Sequence, residues 1–157
     1  MFQLFKKRKL YSPVSGTSVA LKNVDDEVFS SLMMGDGIAI DPIDEVVVSP
    51  CDCSIKLIMH ESKHALGLLM NNGVEILIHV GIDTVNLEGQ GFEILVKEGQ
   101  KVKLGTPLLK FNKDYIISKG YSPMTLMVVT EPKGSSIDKK YEDISVIGGK
   151  TPVIDFC

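Results

Sequence analysis

The sequence predicts an all-β protein, an antiparallel β-sandwich or barrel-sandwich hybrid with short helical turns. Two observations carry that expectation. Apolar residues recur with period two in many short runs, and Gly, Pro, Asn and Asp punctuate those runs at close spacing. Strands of this kind bury one face each by packing sheet on sheet or by closing into a barrel.

Taken in order, Glu45–Ser49, Ser54–Ile58, Leu66–Met70, Val74–Ile78, Phe92–Val96, Thr106–Phe111 and Thr125–Val129 read as strands. Turn residues bound them: Gly35-Asp36-Gly37, Ser49-Pro50, Asn72-Gly73, Glu98-Gly99 and Gly148-Gly149. Helical signals are confined to two places. Asp25 can cap a turn through Val28, Phe29 and Leu32 that Gly35 stops, and Asp114–Lys119 can form another before Gly120. Neither is long enough to frame a fold. Ser12-Pro13-Val14-Ser15-Gly16-Thr17 echoes Ser49-Pro50-Cys51-Asp52-Cys53-Ser54, which suggests a duplicated strand-turn unit. No linker divides the chain, so residues 10–157 read as one domain behind a basic, flexible tail of residues 1–9.

Composition narrows the function. The 157 residues are 44% hydrophobic, enough to bury a core. A net charge of -3, 6% aromatic residues and no Trp exclude a nucleic-acid-binding surface. No apolar run approaches the roughly 20 residues that span a bilayer. Phe2, Leu4 and Phe5 beside Lys6-Lys7-Arg8-Lys9 read as a solvated tail that touches an anionic membrane surface weakly. The start at Met1 without a secretory signal reads as a free-standing cytoplasmic protein, peripheral at most to the inner membrane face. Cys51, Cys53 and Cys157 are an odd number and lack the partners of a zinc site, so they read as small buried or half-buried residues.

The informative segment runs from Ser62 to Leu87. Two strand-like runs flank Asn71-Asn72-Gly73, which predicts a β-hairpin. With Asn71-Asn72 at its tip, His64 faces His79 directly. With Asn72-Gly73 at its tip, the two are diagonal neighbours. Both registers put the imidazoles on one face, whereas a slip of one residue would separate them. His79 lies among Ile76, Leu77, Ile78, Val80 and Ile82, where burial favours a neutral, nucleophilic ring. Gly81 leaves the backbone open, and its carbonyl can fix the tautomer by accepting from one ring nitrogen. Other chemistries are weaker. Zinc catalysis needs a third protein ligand, and no Gly-x-Ser-x-Gly elbow supports a serine hydrolase. A biotinyl- or lipoyl-type carrier would modify a Lys at a hairpin tip, a setting that Lys101 and Lys103 lack.

The run Gly73-Val74-Glu75-Ile76-Leu77-Ile78-His79-Val80-Gly81-Ile82-Asp83-Thr84-Val85-Asn86-Leu87 closely resembles the active-site signature of type 1, glucose-family enzyme IIA domains of the bacterial sugar phosphotransferase system. Gly35–Pro42, Ser49–Ile55, Glu88–Phe92, Glu98–Gly105 and Thr151–Ile154 resemble further family blocks in the same order.

The resemblance implies a phosphotransferase component that relays a phosphoryl group during sugar uptake. His79 would accept it from phosphorylated HPr and pass it to a Cys of a sugar-specific IIB domain, with a regulatory adaptor role alongside. His64 would support the phosphoryl group, and Ser62 would supply a hydroxyl where the family has Thr. Asp36 and Asp83 would face cations of the donor. Ile38, Ile40 and Leu77 are the expected apolar contacts of the docking surface. No cofactor or metal is required, although His64 and His79 could take up an adventitious or regulatory zinc ion. The chain departs from the family at Cys53, where Gly is usual, and at His60, often aromatic.

Overall fold

The computed structural model describes residues 7–157, so the expected membrane contact through Phe2, Leu4 and Phe5 lies outside the described residues. The strands are β1 (Arg8–Tyr11), β2 (Gly16–Ala20), β3 (Asp36–Pro42), β4 (Val46–Val48), β5 (Cys53–Ile58), β6 (Ala65–Leu69), β7 (Glu75–Val80), β8 (Phe92–Ile94), β9 (Lys101–Val102), β10 (Pro107–Phe111), β11 (Thr125–Glu131), β12 (Ile137–Lys140), β13 (Ser145–Val146) and β14 (Pro152–Phe156). Two short helices, α1 (Glu27–Ser30) and α2 (Lys113–Ser118), and two 3-10 turns, Leu21–Asn23 and Thr84–Leu87, complete the set. Pairing is antiparallel within three sheets, ordered β13-β2-β3-β11-β7-β6-β5-β9, β1-β14-β12 and β4-β10-β8.

Each strand expected from the alternation forms, with ends shifted by a few residues. The main differences lie where special residues govern the backbone. Gly35-Asp36-Gly37 is not a turn, because Asp36 and Gly37 begin β3. A side chain at Gly37 would place its Cβ 2.0 Å from the Met127 carbonyl oxygen, so this glycine lets β3 and β11 approach. Asp26, not Asp25, caps α1 by accepting from the Val28 amide at 3.0 Å. Its extended backbone (φ -156°) suits the cap position. Asn112 caps α2 in the same way through the Tyr115 amide. Arg8 and Lys9, counted with the expected tail, pair with Phe156 and Asp155 in β1.

Alternation along the long strands sorts the core. Ile38 and Ile40 of β3, Ile76 and Ile78 of β7, and Leu66 and Leu68 of β6 face inward and are essentially inaccessible. They pack with Leu108, Leu109, Ile154 and Phe156 of the two smaller sheets. Cys51 and Cys53 are buried in the same core, and Cys53 lies 3.4 Å from Ser49 Oγ.

The sequence echo is real in three dimensions. Ser12 Oγ donates to the Val14 carbonyl and Ser49 Oγ to the Cys51 carbonyl, each at 2.7 Å. The two turns also bind one another reciprocally: Tyr11 N donates to Pro50 O at 3.0 Å, and Val48 N donates to Pro13 O at 2.8 Å. A proline has no amide to donate, and here its carbonyl supplies the contact between the repeats.

Candidate active site

β7 lies between β6 and β11 in the large sheet, so a residue in its middle has strands on both sides. His79 pairs with Ala65 of β6 and Leu126 of β11, and Leu126 pairs with Ala39 of β3. Small and apolar neighbours thus flank the imidazole along the outer face. A second apolar cluster gathers there: Leu21, Val24, Phe29, Ala39, Ile82, Leu126 and Val128. Phe29 of α1 sets its ring 4.9 Å from that of His79, tilted by 58°.

The hairpin register differs from both expected ones. The loop has three residues, Asn71-Asn72-Gly73, with Gly73 at φ +91° and its amide donating to Met70 O. That loop places Ala65, not His64, opposite His79. In an uninterrupted strand His64 would face away. Instead β6 begins only at Ala65, and Lys63 takes a left-handed backbone (φ +56°) that turns the chain at His64. The two rings meet edge to face, 4.6 Å between centroids. The imidazoles are adjacent as expected, but a bend brings them together and cross-strand pairing does not.

Burial dominates the electrostatics. His79 is pushed down to about 4, first by burial and then by the neighbouring His64. His64 is also held below the ordinary value of 6.5 by burial. Both rings are therefore neutral near pH 7. His64 Nδ1 lies 2.7 Å from Ser62 Oγ, and both residues are buried. His79 Nδ1 is buried without a hydrogen-bond partner. The Gly81 backbone is near enough to favour the protonated ring but falls short of hydrogen-bond geometry. The remaining nitrogen, Nε2, is the one an incoming group can reach on this half-buried ring.

The other expected site residues divide. Leu77 shares the His79 face and is partly buried against the outer cluster. Ile38 and Ile40 must be withdrawn as docking contacts: both are 0% exposed in the main core, because the alternation of β3 turns Ala39 outward. Asp36 is also corrected. It sits at the far end of β3, opposite Val129 rather than in the row of His79, and is ion-paired with Lys140 at 2.9 Å. Asp83 is exposed with a left-handed backbone (φ +59°) and shares a groove of about 400 Å³ with Asp25, Ile82 and Met124. Asp26 and Phe29 were not expected at the site. Nothing in the local pattern around α1 announces which strand it covers. Among the described residues no group of three or more His, Cys, Asp or Glu is arranged to hold a metal.

Comparison with known proteins matches this arrangement to one family. Residues 8–134 match the family model described as phosphoenolpyruvate-dependent sugar phosphotransferase system, EIIA 1. The chain is 39% identical over 146 residues to the glucose-specific EIIA component of the phosphotransferase system of Staphylococcus aureus strain COL, covering 93% of this chain and 87% of that one. The Staphylococcus epidermidis strain RP62A protein of the same name is 38% identical over 151 residues, covering 96% and 90%. The solved glucose permease IIA from Mycoplasma capricolum superposes with a TM-score of 0.90 at 32% identity, over 99% of each chain.

Proposed function

The chain belongs to the EIIA 1 family of the phosphoenolpyruvate-dependent sugar phosphotransferase system, and on that premise we propose that His79 carries the phosphoryl group. As a member it is a phosphotransferase component that relays phosphate in sugar uptake. The observation that supports His79 is its pairing with His64 at 4.6 Å on an apolar outer face. A neutral imidazole keeps a lone pair for attack at neutral pH, and the largest cause of that neutrality is burial.

In this reading phosphorylated HPr docks over the apolar cluster around Phe29 and Leu77. His79 Nε2 attacks the phosphorus in line, the bond to the donor imidazole breaks, and the phosphoryl group changes rings. His64 stabilises it. With the Ser62 hydroxyl donating to His64 Nδ1, the proton of the neutral His64 ring sits on Nε2, ready to donate to a phosphoryl oxygen. A IIB domain then takes the group on its Cys. The relatives' names are glucose-specific, which favours a glucose permease as the acceptor. Asp83, exposed beside the cluster, would meet a cation of the donor. A zinc ion on His64 and His79 would find two of its usual four ligands and would need a partner's side chains for the rest.

The test is charging by phosphoenolpyruvate, enzyme I and HPr, read by intact mass. Wild type should gain one acid-labile phosphoryl group, and His79→Gln should gain none. His64→Gln should still charge but discharge to IIB roughly 100-fold more slowly. A charged His79→Gln, or an uncharged wild type with active donor, would overturn the assignment.

A further inference from the structure

Two thiols stand apart from the relay. Cys51 and Cys53 are 7% and 8% exposed and belong to the main core where the chain enters β5. We propose that they form a peroxide-reactive dithiol, with Cys53 the attacking thiol and Cys51 the resolving one, which closes to a disulfide between them. Their place in the fold separates them from the histidines. Ser54 pairs with Leu69 beside the Asn71 turn, whereas Ala65, at the other end of β6, pairs with His79.

The backbone brings the two side chains together. Residues two apart in an extended chain point to one side, and here exposed Asp52 separates two buried cysteines. The chain bends over residues 50–52, which draws the flanking side chains closer than a straight strand would. That bend is tied on both flanks. Ser49 Oγ donates to the Cys51 carbonyl at 2.7 Å, the Leu104 amide donates to Asp52 Oδ1 at 2.8 Å, and Cys53 pairs with Val102. The Cys51 thiol is near enough to donate toward the Cys53 sulfur.

The two sulfurs are not equivalent. Cys53 lines a groove of about 490 Å³ with Ser54, Met70, Lys101 and Lys103, and Cys51 does not. A small, uncharged oxidant therefore meets Cys53 first. Ser49 Oγ lies 3.4 Å from Cys53 Sγ and can turn its proton onto a thiolate there. Charge follows the same order. Cys53 is held below the ordinary thiol value, first by the Cys51 thiol donating toward it and then by Ser49, against burial and Asp52. Cys51 is pushed up, first by that same contact and then by burial. The thiolate is the nucleophile, so Cys53 attacks. With hydrogen peroxide as the oxidant, the Cys53 thiolate bonds to one peroxide oxygen, the O–O bond breaks and hydroxide leaves, which makes Cys53 a sulfenic acid. The proton that Cys53 gave up neutralises the hydroxide. The Cys51 sulfur then attacks the Cys53 sulfur, the S–O bond breaks, and the departing oxygen takes the Cys51 proton and leaves as water. The thiols lose two electrons and the peroxide gains them.

The test is hydrogen peroxide added to the folded full chain, followed by alkylation under denaturing conditions, intact mass and peptide mapping. The reduced protein has three cysteines, all free, and should take three alkyl groups. After peroxide it should take one, on Cys157, and dithiothreitol should restore the other two. In Cys51→Ser a sulfenic acid should persist on Cys53, where dimedone traps it. In Cys53→Ser the alkylation of Cys51 should be lost roughly tenfold more slowly than in wild type. The wild-type mapping decides the matter even where a variant fails to fold. Wild type that still takes three groups, a bridge that includes Cys157, or a folded Cys53→Ser protein whose Cys51 oxidises as fast as in wild type would overturn the proposal.

Discussion

A neutral histidine at pH 7 is ordinary, but one that remains neutral well into acid is not. His79 owes this first to burial and second to His64, so its protonation lags behind that of a free imidazole. Ser62 matters at the same scale. Its hydroxyl is the hydrogen-bond partner of His64 Nδ1 at 2.7 Å. In Ser62→Ala that buried nitrogen loses its partner, at a cost of about 1–3 kcal/mol. The tautomer of His64 is then no longer set. Transfer from the charged protein to IIB should fall roughly tenfold while charging itself persists, and Ser62→Thr should restore it. Quench-flow measurement of both half-reactions separates these effects; equal losses in both would remove Ser62 from this role. The chemistry of His79 was legible in its apolar neighbours and in the family-like run around it. The neighbours Phe29 and Asp26 were not, because residues far apart in the chain meet only after the sheet has formed.

At the scale of the element, the hairpin and β3 show what local rules can and cannot settle. Asn71-Asn72-Gly73 marks a turn clearly, yet two-residue and three-residue loops use the same residues. Only the positive φ at Gly73 and the resulting pairing of Ala65 with His79 select the register. The left-handed Lys63 then restores the proximity of the imidazoles that this register alone would lose. In β3 the Gly-Asp-Gly run looks like a turn by composition, but its second glycine serves close approach to Met127 of β11. Gly37→Ala should therefore destabilise the protein, by roughly 2–4 kcal/mol with the backbone forced apart, where an unobstructed Gly→Ala exchange within a strand would stabilise it by about 0.5–1 kcal/mol. Urea unfolding measures this; an unchanged or increased stability would show that the two strands part easily. The same alternation of β3 sends Ile38 and Ile40 into the core, leaving Ala39 to line the outer face.

For the whole molecule, the half-buried His79 links the candidate site to stability. His79 titrates near 6.5 when unfolded and near 4 when folded, so between those values the unfolded chain binds the proton first. Stability therefore rises with pH across this window. The His79 contribution is undiminished above about 6.5 and declines as pH falls towards 4. Urea titrations from pH 7.5 to 4.5 should show a slope in wild type that is shallower in His79→Gln; identical slopes would mean that the folded ring titrates normally. Docking is a second property of the whole surface. With Asp83 exposed beside the apolar cluster, association with a basic donor should weaken as salt rises, and Asp83→Asn should reduce the association rate and its salt dependence, by stopped flow, several-fold. An unchanged salt slope would remove Asp83 from the encounter.

The sequence by itself determined the all-β class, the seven alternating strands and the Ser-Pro echo, and it singled out the two histidines as the candidate site. These depend on period-two patterning, turn chemistry and a contiguous run, all of which are local. Tertiary structure alone decided that Ile38 and Ile40 are core, that Asp36 is neutralised by Lys140, and that Phe29 covers His79. Each of those outcomes depends on which face of a strand meets which neighbour. In a sheet a shift of one residue reverses every face, so that choice belongs to the packed molecule rather than to any segment of it.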